Sequence, residues 1–243
     1  MKKVAIITGA SRGIGAATAT LLADKAYAVC VNYNNAKDKA DAIVNAITSK
    51  NGEAIAIKAD MSSESDIINL FKTVDKELGT VTALVNNAGI NGGICEVENI
   101  TIERLQSVFA TNVFGPFIAC REAVKRMKSN GGGSIVNISS TAAQFGGTHL
   151  SHYAASKSAI NTFTIGFARE VAPYQIRVNA VSPGVIDTEM HQASPPDRIA
   201  NLLKTLPMGR MGSPDEVAEL IYWLLSDKSS YISGAILPVT GSR

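Results

Sequence analysis

The sequence predicts a doubly wound α/β fold, in which about seven parallel strands form one sheet with helices on both faces. Short, almost continuously apolar runs alternate along the chain with longer amphipathic segments. Strands that are buried on both faces are typically continuous apolar runs, whereas strands with one wet face alternate with polar residues. The pattern therefore favours parallel strands that are joined by right-handed helical crossovers.

Each apolar run and each amphipathic segment is assigned to one element. Strands are expected at 4–8, 27–33, 53–59, 81–86, 134–139, 176–182 and 235–239. Helices are expected at 13–25, 35–50, 64–78, 102–128, 151–172 and 215–226, with Thr101 as the candidate N-cap of the long fourth helix. Segment 187–213 breaks the alternation, because it is rich in proline and holds only a short helical piece near 197–204. Since it follows the carboxyl end of a strand, we predict a substrate lid, with a plain surface insertion as the alternative.

The composition restricts the class of protein. The chain has 243 residues, a length that suits one domain spanning 1–243 with a core of its own. Its formal net charge is +2. The sequence has no basic stripe of the kind that indicates a nucleic-acid partner, and no apolar run reaches the length of a membrane span. Cys30, Cys95 and Cys120 show neither metal-ligand nor disulfide spacing. We therefore expect a cytoplasmic protein with reduced cysteines and no metal.

Three glycines lie between the first strand and the first helix. The stretch Thr8-Gly9-Ala10-Ser11-Arg12-Gly13-Ile14-Gly15 spaces them as G-x-x-x-G-x-G. Glycines let a strand turn sharply and let backbone N–H groups approach a pyrophosphate at a helix N-terminus. The position in a βαβ unit makes the pattern more specific than glycines alone, although a tight turn without a ligand is the alternative. We predict a dinucleotide site that includes Gly9, Ser11, Arg12, Gly13, Ile14 and Gly15.

The end of the second strand indicates which dinucleotide binds. NAD sites place Asp or Glu there to accept hydrogen bonds from the ribose 2′-hydroxyl, but this strand ends in residues 31–35 with no acid before Asp38. Arg12 can pair with a 2′-phosphate, which a carboxylate would repel. We predict NADPH (NADP), with NAD less favoured, and count Tyr33 and Asn34 among the cofactor residues. A solvated Arg12 in the turn is the alternative.

Tyr153 and Lys157 lie four residues apart near the start of a predicted helix, which puts both side chains on one face. A tyrosine is a poor acid or base at neutral pH, but a nearby ammonium favours the phenolate and lowers the phenol pKa. Such a tyrosine can donate a proton to a carbonyl or remove one from an alcohol. The spacing alone is common by chance, so a helix-start tyrosine and a solvated lysine are the alternative.

Other polar residues are predicted at the same edge of the sheet, where doubly wound folds bind ligands. Ser139 and Ser140 end the fifth strand, and strand alternation points them to opposite sides. Asp60 ends the third strand, where it either bonds the adenine or caps the next helix. Asn112 interrupts an otherwise apolar stretch and needs hydrogen-bond partners if it is buried, or else marks a kink in the helix.

Taken together and in order, these motifs resemble the short-chain dehydrogenase/reductase family over essentially the whole chain. The matching segments are Thr8–Gly15, Asn86–Gly89, Ser140 with Tyr153-x-x-x-Lys157, and Pro183-Gly184. The resemblance implies a Rossmann-like domain with Tyr153 as general acid/base and Ser140 holding the substrate oxygen. It implies that Lys157 binds the nicotinamide ribose and that Asn112 anchors a water that relays protons. Further cofactor contacts are expected from Asp60, Met61, Asn87, Ala88, Gly89, Pro183, Gly184, Ile186 and Thr188.

The predicted substrate is a medium-sized carbonyl compound, because the candidate lining mixes polar and apolar residues. The substrate residues are predicted to be Ser140, Gln144, His149 and Met190, with Ile90, Ile94, Phe145, His152 and His191 as further candidates. His149 and His152 are spaced i, i+3 without a carboxylate cluster, so a metal is not expected.

The resemblance extends to bacterial 3-oxoacyl-carrier-protein reductases and glucose dehydrogenases, and both activities stay open as alternatives. Lys125, Arg126 and Lys128 could form part of a basic patch for an acidic carrier protein. The turn 172–175 lacks the basic residue that such reductases often carry, and the tail 239–243 lacks their acid and paired glycines. The resemblance also implies a homotetramer or homodimer through helices 102–128 and 151–172. A protein that binds NADP(H) as a sensor, without turnover, is the non-enzymatic alternative.

Overall fold

A sheet of seven parallel strands runs through the centre of the computed structural model, which describes residues 2–189, 201 and 203–242. The strand order is β3-β2-β1-β4-β5-β6-β7. The strands are β1 (Lys3–Ile7), β2 (Tyr27–Tyr33), β3 (Ala54–Lys58), β4 (Ala83–Asn86), β5 (Gly133–Ile138), β6 (Ile176–Pro183) and β7 (Ile236–Val239). The predicted doubly wound, seven-stranded parallel sheet is confirmed, with every strand within two residues of its expected bounds.

Helices cover both faces of this sheet. They are α1 (Gly13–Asp24), α2 (Lys37–Thr48), α3 (Glu64–Glu77), α4 (Ile102–Phe109), α5 (Gly115–Ser129), α6 (Ala142–Phe145), α7 (Ser151–Val171) and α8 (Pro214–Leu225). Successive β1 residues pack on opposite sides: Ile6 belongs to the core cluster with Phe71 of α3, and Ile7 to the cluster with Leu22 of α1. Burial of such a side chain stabilises the fold by roughly 1.5–3 kcal/mol. Both faces of the sheet therefore contribute to the core, as the continuous apolar strands predicted.

The expected long helix at 102–128 is not a regular α-helix. A π-helical turn, Ala110–Phe114, separates α4 from α5. Pro116 follows it and has no N–H to donate to the preceding turn, so the regular ladder is broken there. Gly115 lies against the loop after β3, because a Cβ on it would come within 2.2 Å of the Met61 carbonyl oxygen. The sequence pattern predicted one continuous helix and did not indicate the π-helical turn.

Three helices begin at side-chain caps. Ser63, Thr101 and Ser213 accept hydrogen bonds from the third residue of α3, α4 and α8, respectively. Each such cap contributes about 1 kcal/mol. The predicted cap at Thr101 is confirmed by its Oγ1, which lies 3.2 Å from the Arg104 nitrogen. The Arg104 side chain instead donates to the carbonyl of Gly92 at 2.7 Å and so holds the loop after β4.

The sheet order brings together the strand ends on which the predicted site depends. β1, β4, β5 and β6 are neighbours at the centre, so the turns after residues 7, 86, 138 and 183 lie side by side. Within the described part of the chain, no helix combines the length and the apolar character of a bilayer span. Residues 190–200 and 202 of the predicted lid lie outside the described residues, and Met190 and His191 with them. The two ends of that segment are joined, since the Asp187 N–H donates to the Gly212 carbonyl at 2.9 Å and the Gly212 N–H donates to the Val185 carbonyl at 2.9 Å.

Candidate active site

The turn after β1 is built from glycines for two reasons. Gly9 and Gly13 have φ of +60° and +53°, a region that other residues rarely adopt. A Cβ on Gly9 would lie 2.9 Å from Cα of Ala88, and a Cβ on Gly15 would lie 2.5 Å from Nδ2 of Asn87. Larger residues would therefore push β1 and α1 away from the end of β4.

Buried polar side chains hold this turn in place. Asn32 of β2 accepts a hydrogen bond from the Gly9 N–H at 3.0 Å and donates to the Ala59 carbonyl at 3.1 Å. Asn87 donates to the Thr8 carbonyl at 2.8 Å, and its own N–H donates to Thr8 Oγ1 at 3.0 Å. Asn32 was not among the predicted site residues. Its signal was a polar residue inside a buried apolar strand, which must find partners.

The N-terminus of α1 is suited to an anion. Arg12 is its N-cap residue, but makes no capping hydrogen bond with its side chain, and the first turn carries no acidic residue. The first N–H groups of the helix are therefore available, and the helix dipole favours negative charge there. Ser11 and Ile14 lie in the same turn, buried and partly buried respectively. A cofactor pyrophosphate fits this donor set.

Asp60 does not cap α3, so that alternative is wrong. Ser63 holds the cap position, and its Oγ accepts from the Asp66 N–H at 3.3 Å. The Asp60 carboxylate instead accepts from the N–H and the hydroxyl of Ser62, at 2.8 and 2.7 Å. The hydrogen bond from the Ser62 backbone is the main cause that lowers the Asp60 pKa, and Asn34 adds to it. Tyr33 and Met61 nearby are buried, with 7% and 5% of their surface exposed.

Ser140, Tyr153 and Lys157 meet at the carboxyl end of β5. Ser140 lies close enough to the Tyr153 hydroxyl to lower its pKa, and Ser140 Oγ also accepts from the Ala142 N–H at 3.2 Å. The Lys157 ammonium donates to the Ile138 carbonyl at 2.7 Å and lies 5.8 Å from the centre of the Tyr153 ring. Ser139 faces elsewhere, since its hydroxyl donates to the Lys157 carbonyl at 3.4 Å. The structure thus brings Ser140, rather than Ser139, to the tyrosine.

Burial shifts the pKa of both ionisable groups. Tyr153 keeps part of its ring in water, but its hydroxyl is surrounded by protein, and this desolvation raises the phenol pKa while Ser140 opposes the rise. Burial lowers the pKa of Lys157 to about 8. That Lys157 lowers the Tyr153 pKa stays a prediction. The Lys157 ammonium lies beside the Tyr153 ring and donates to the Ile138 carbonyl, and the shift of the phenol pKa here comes from burial and Ser140.

Asn112 links three parts of the site from within the π turn. Its Oδ1 accepts from the Ile90 N–H at 2.9 Å, and its Nδ2 donates to the Ile90 carbonyl at 2.8 Å and to Ser156 Oγ at 3.0 Å. A Cβ on Gly89 would lie 3.2 Å from Asn112 Oδ1 and 3.4 Å from Lys157 Nζ. Asn112 is thus both a residue of the helix irregularity and a neighbour of Lys157.

The chain after β6 runs back across the site. Pro183 ends β6, and Gly184 follows so close to β7 that a Cβ would lie 3.0 Å from Cα of Thr240. Ile186 is buried, and Thr188 approaches the glycine turn, with its methyl 3.2 Å from a Cβ placed on Gly13. This segment therefore borders the same space as the glycine turn.

The candidate substrate side consists of two loops that His149 and His152 connect. His149 Nδ1 lies 3.2 Å from Glu96 Oε2, and the His149 carbonyl accepts from the Cys95 N–H at 3.0 Å. A ring nitrogen of His152 lies 2.9 Å from the Asn91 carbonyl. Exposed apolar surface beside them comes from Ile90, Ile94 and Phe145, and Gln144 lies on α6. No group of three or more potential metal ligands occurs among the described residues.

Comparisons with known proteins fit this geometry. A family model described as enoyl-(acyl carrier protein) reductase matches residues 9–241. The chain is 48% identical to the uncharacterized oxidoreductase YgfF of Escherichia coli, over 99% of both chains. The chain belongs to the short-chain dehydrogenase/reductase family. Members are NAD(P)-dependent oxidoreductases, so this family member is an enzyme of that class.

Two further relatives show the range within the family. An uncharacterized oxidoreductase of Methylorubrum extorquens is 39% identical, over 98% of this chain and 96% of its own. The 3-oxoacyl-(acyl-carrier-protein) reductase FabG of Staphylococcus epidermidis is 36% identical, over 99% of this chain and 98% of its own. The likeness therefore spans the whole fold.

Proposed function

We propose that this family member reduces a ketone to an alcohol with NADPH. One observation carries the proposal: the desolvated phenol of Tyr153 lies beside Ser140, and the buried ammonium of Lys157 lies 5.8 Å from its ring centre. This group lies at the edge of the sheet that also holds the glycine turn. A carbonyl placed there would meet hydrogen-bond donors on one side and the cofactor on the other.

The proposed mechanism assigns each side chain one task. NADPH, when bound, supplies the hydride that reaches the carbonyl carbon. Ser140 and Tyr153 hold the substrate oxygen with their hydroxyls, and Tyr153 gives its proton as negative charge develops there. Lys157 binds the nicotinamide ribose and stabilises the phenolate that Tyr153 becomes. Asn112 is assigned the water that returns a proton to the tyrosine, while its side-chain amide holds Ile90 and Ser156 in place.

The protonation state of Tyr153 is compatible with the reductive direction. A phenol whose pKa is raised by burial carries its proton at neutral pH. That is the state needed to protonate an alkoxide, whereas oxidation of an alcohol needs the phenolate first. The sugar-dehydrogenase alternative would need Tyr153 to lose its proton before the reaction.

The cofactor site is supported by the donors around the glycine turn. The uncapped N-terminus of α1 offers N–H groups to the pyrophosphate, with Gly9, Ser11, Gly13, Ile14 and Gly15 allowing its approach. No acid ends β2, and Arg12 stands at the start of α1, both of which favour NADPH over NADH. The remaining proposed contacts are Tyr33, Asn34, Asp60, Met61, Asn87, Ala88, Gly89, Pro183, Gly184, Ile186 and Thr188.

A second candidate function is reduction of 3-oxoacyl groups on a carrier protein, which the FabG relatives favour. The predicted basic patch gives it little support. Lys125 Nζ lies 2.7 Å from Glu122 Oε1, and Arg126 Nε lies 2.7 Å from Asp75 Oδ2. Both cations therefore already have carboxylate partners, and an acidic carrier protein would meet a partly neutralised surface.

The test follows oxidation of NADPH and NADH by absorbance, with a panel of carbonyl substrates. The panel contains β-ketoacyl thioesters, diketones, quinones, aldehydes and sugar-derived ketones. Wild-type turnover should fall by a factor of about 100 or more in Tyr153→Phe, because the proton donor is lost. Tyr231→Phe removes the hydroxyl of a fully exposed tyrosine and should leave turnover unchanged. Tight NADPH binding without turnover on any substrate would favour the sensor alternative.

The proposal includes a cytoplasmic homotetramer or homodimer, with one domain and a lid near 187–213. Its interface would be formed by α5 and α7. These helices border an open groove of about 750 Å³ that includes Phe117, Phe163 and Phe167. Apolar surface of this kind on a monomer marks a site of contact with another protein surface.

A further inference from the structure

One carboxylate lies between two cations at the mouth of the glycine turn. Glu189 Oε2 is 2.9 Å from Arg12 Nη1, and Glu189 Oε1 is 2.5 Å from Lys39 Nζ. Arg12 precedes α1, Lys39 lies in the first turn of α2, and Glu189 follows β6. The three side chains are about half exposed, at 56%, 51% and 44% of their surface. They form one cluster from three distant parts of the chain.

The cluster lies where the adenosine end of a dinucleotide would be recognised. α2 follows the end of β2, the strand end at which the ribose 2′ position is read in this kind of fold. Thr188, next to Glu189, is in van der Waals reach of Gly13 in the turn itself. An anion that bridges Arg12 and Lys39 as Glu189 does would occupy the position that the Glu189 carboxylate holds.

We propose that Glu189 occupies the position of the cofactor's 2′-phosphate and competes with that phosphate for Arg12 and Lys39. Lys39 is then a second residue, besides Arg12, that selects NADPH. The inference rests on the proposed function in one respect, the choice of NADPH. It adds Glu189 as a residue that opposes NADPH binding and Lys39 as a residue that promotes it. The sequence analysis identified neither residue.

Charge decides the direction of the exchange. Hydrogen bonds from Lys39 and Arg12 hold the Glu189 pKa below its usual value, so the carboxylate is ionised at neutral pH. A phosphate monoester carries about −1.5 to −2 charge and three acceptor oxygens, against one charge and two oxygens for the carboxylate. The phosphate therefore binds the pair of cations more strongly than the Glu189 carboxylate does, whereas the uncharged 2′-hydroxyl of NADH binds them less strongly. Glu189 therefore weakens NADPH binding by a limited amount and lets both cations stay paired before the cofactor arrives.

The test measures dissociation constants of NADPH and NADH from nicotinamide fluorescence, without turnover. Glu189→Gln should tighten NADPH about three- to tenfold, since two exposed ion pairs no longer compete, and should change NADH by less than twofold. Lys39→Gln should weaken NADPH by a similar factor and leave NADH unchanged. Glu53→Gln is the matched control, because Glu53 is an exposed carboxylate paired with one lysine, Lys2, far from the turn.

A combined variant separates local competition from a general change of charge. When Arg12 and Lys39 are both replaced by Gln, the additional Glu189→Gln change should have no effect on NADPH binding. Unchanged or weaker NADPH binding by Glu189→Gln alone would overturn the inference while leaving the NADPH preference intact. A wild-type protein that binds NADH more tightly than NADPH would overturn the preference and the inference together. The proposed reaction can fail on every substrate without affecting these binding results.

Discussion

Tyr153 and Lys157 have pKa values shifted in opposite directions by one cause. Removal from water disfavours whichever form of a group is charged, so burial raises the pKa of the phenol and lowers that of the ammonium to about 8. At pH 7 the tyrosine keeps its proton and the lysine keeps most of its charge. A modest rise in pH discharges the lysine first, while the tyrosine stays neutral.

Lys157→Met should remove a pH dependence from the stability of the protein. The folded-state pKa of Lys157 lies below its unfolded value, so above pH 7 the folded state binds fewer protons than the unfolded state, and stability rises with pH. Relative to the variant, the wild-type free energy of unfolding should increase by about 1 kcal/mol between pH 7 and pH 9. Urea unfolding at one protein concentration measures this.

The matched control for that experiment is Lys50→Met, which removes an exposed ammonium from the end of α2. Groups such as Cys30, whose pKa burial raises, act in both proteins and cancel in the comparison. Parallel pH profiles of wild type and Lys157→Met would mean that the ammonium is not desolvated.

At the scale of elements, the π turn between α4 and α5 puts one side chain where three segments meet. Asn112 provides both hydrogen bonds of the Ile90 backbone and one to Ser156 of α7. A regular α-helix over residues 110–114 would point the Asn112 side chain in a different direction, away from Ile90 and Ser156. Such π turns are frequent at functional sites.

Asn112→Ala should loosen the loop after β4. The change removes two part-buried hydrogen bonds to the Ile90 N–H and carbonyl, each of which contributes about 0.5–1.5 kcal/mol. We expect the free energy of unfolding to fall by about 2 kcal/mol and amide exchange at Ile90 to accelerate more than elsewhere. Hydrogen-exchange mass spectrometry of peptides across 88–94 measures the local effect. Thr111→Ala, in the same turn, is the control, and equal exchange in both variants would contradict the role of Asn112 in holding the Ile90 backbone.

The elements that the sequence predicted are those with a local signal. Strands appeared as apolar runs, and the caps at Thr101 and the glycine turn appeared as residue patterns. The π turn did not, because apolar periodicity is almost the same in a π-helical turn as in the helix around it. The four-residue α6 is too short to show any period.

The candidate site was predictable to a similar extent. Ser140, Tyr153, Lys157 and Asn112 follow from motif and resemblance, and the structure brings them to one edge of the sheet. Lys39 and Glu189 could not be foreseen, because their meeting depends on α2 and the chain after β6, which are 150 residues apart. Asn32 could be recognised as a polar residue in an apolar strand, but its hydrogen-bond partners, Gly9 and Ala59, could not.

At the scale of the whole molecule, α5 and α7 share an aromatic surface. Phe117 stacks on Phe163 with ring centres 3.7 Å apart, and Phe163 stacks on Phe167 at 4.9 Å. Phe117 is nevertheless 46% exposed. Exposed rings of this size are normally covered in an assembly.

Phe117→Glu should therefore dissociate the proposed assembly. Wild type should elute with the mass of two or four 25.6 kDa chains in light scattering, and the variant with a smaller mass, because its carboxylates would be buried together. Val97→Glu, at a residue that is 74% exposed and lies outside this surface, should keep the wild-type mass. A wild-type protein that is monomeric at micromolar concentration would contradict the proposal.

The pairing of β1 with β4 has a consequence for the time at which the site can form. Thr8 and Asn87, which fasten the glycine turn, are 79 residues apart. During synthesis, β1, α1 and β2 leave the ribosome long before the residues that lock their turn. Closing a loop of this length costs entropy that grows with the logarithm of its length, and folds that depend on such contacts form slowly. A nascent chain that stops short of β4 would thus carry all three glycines but lack Asn87, the residue that fastens their turn.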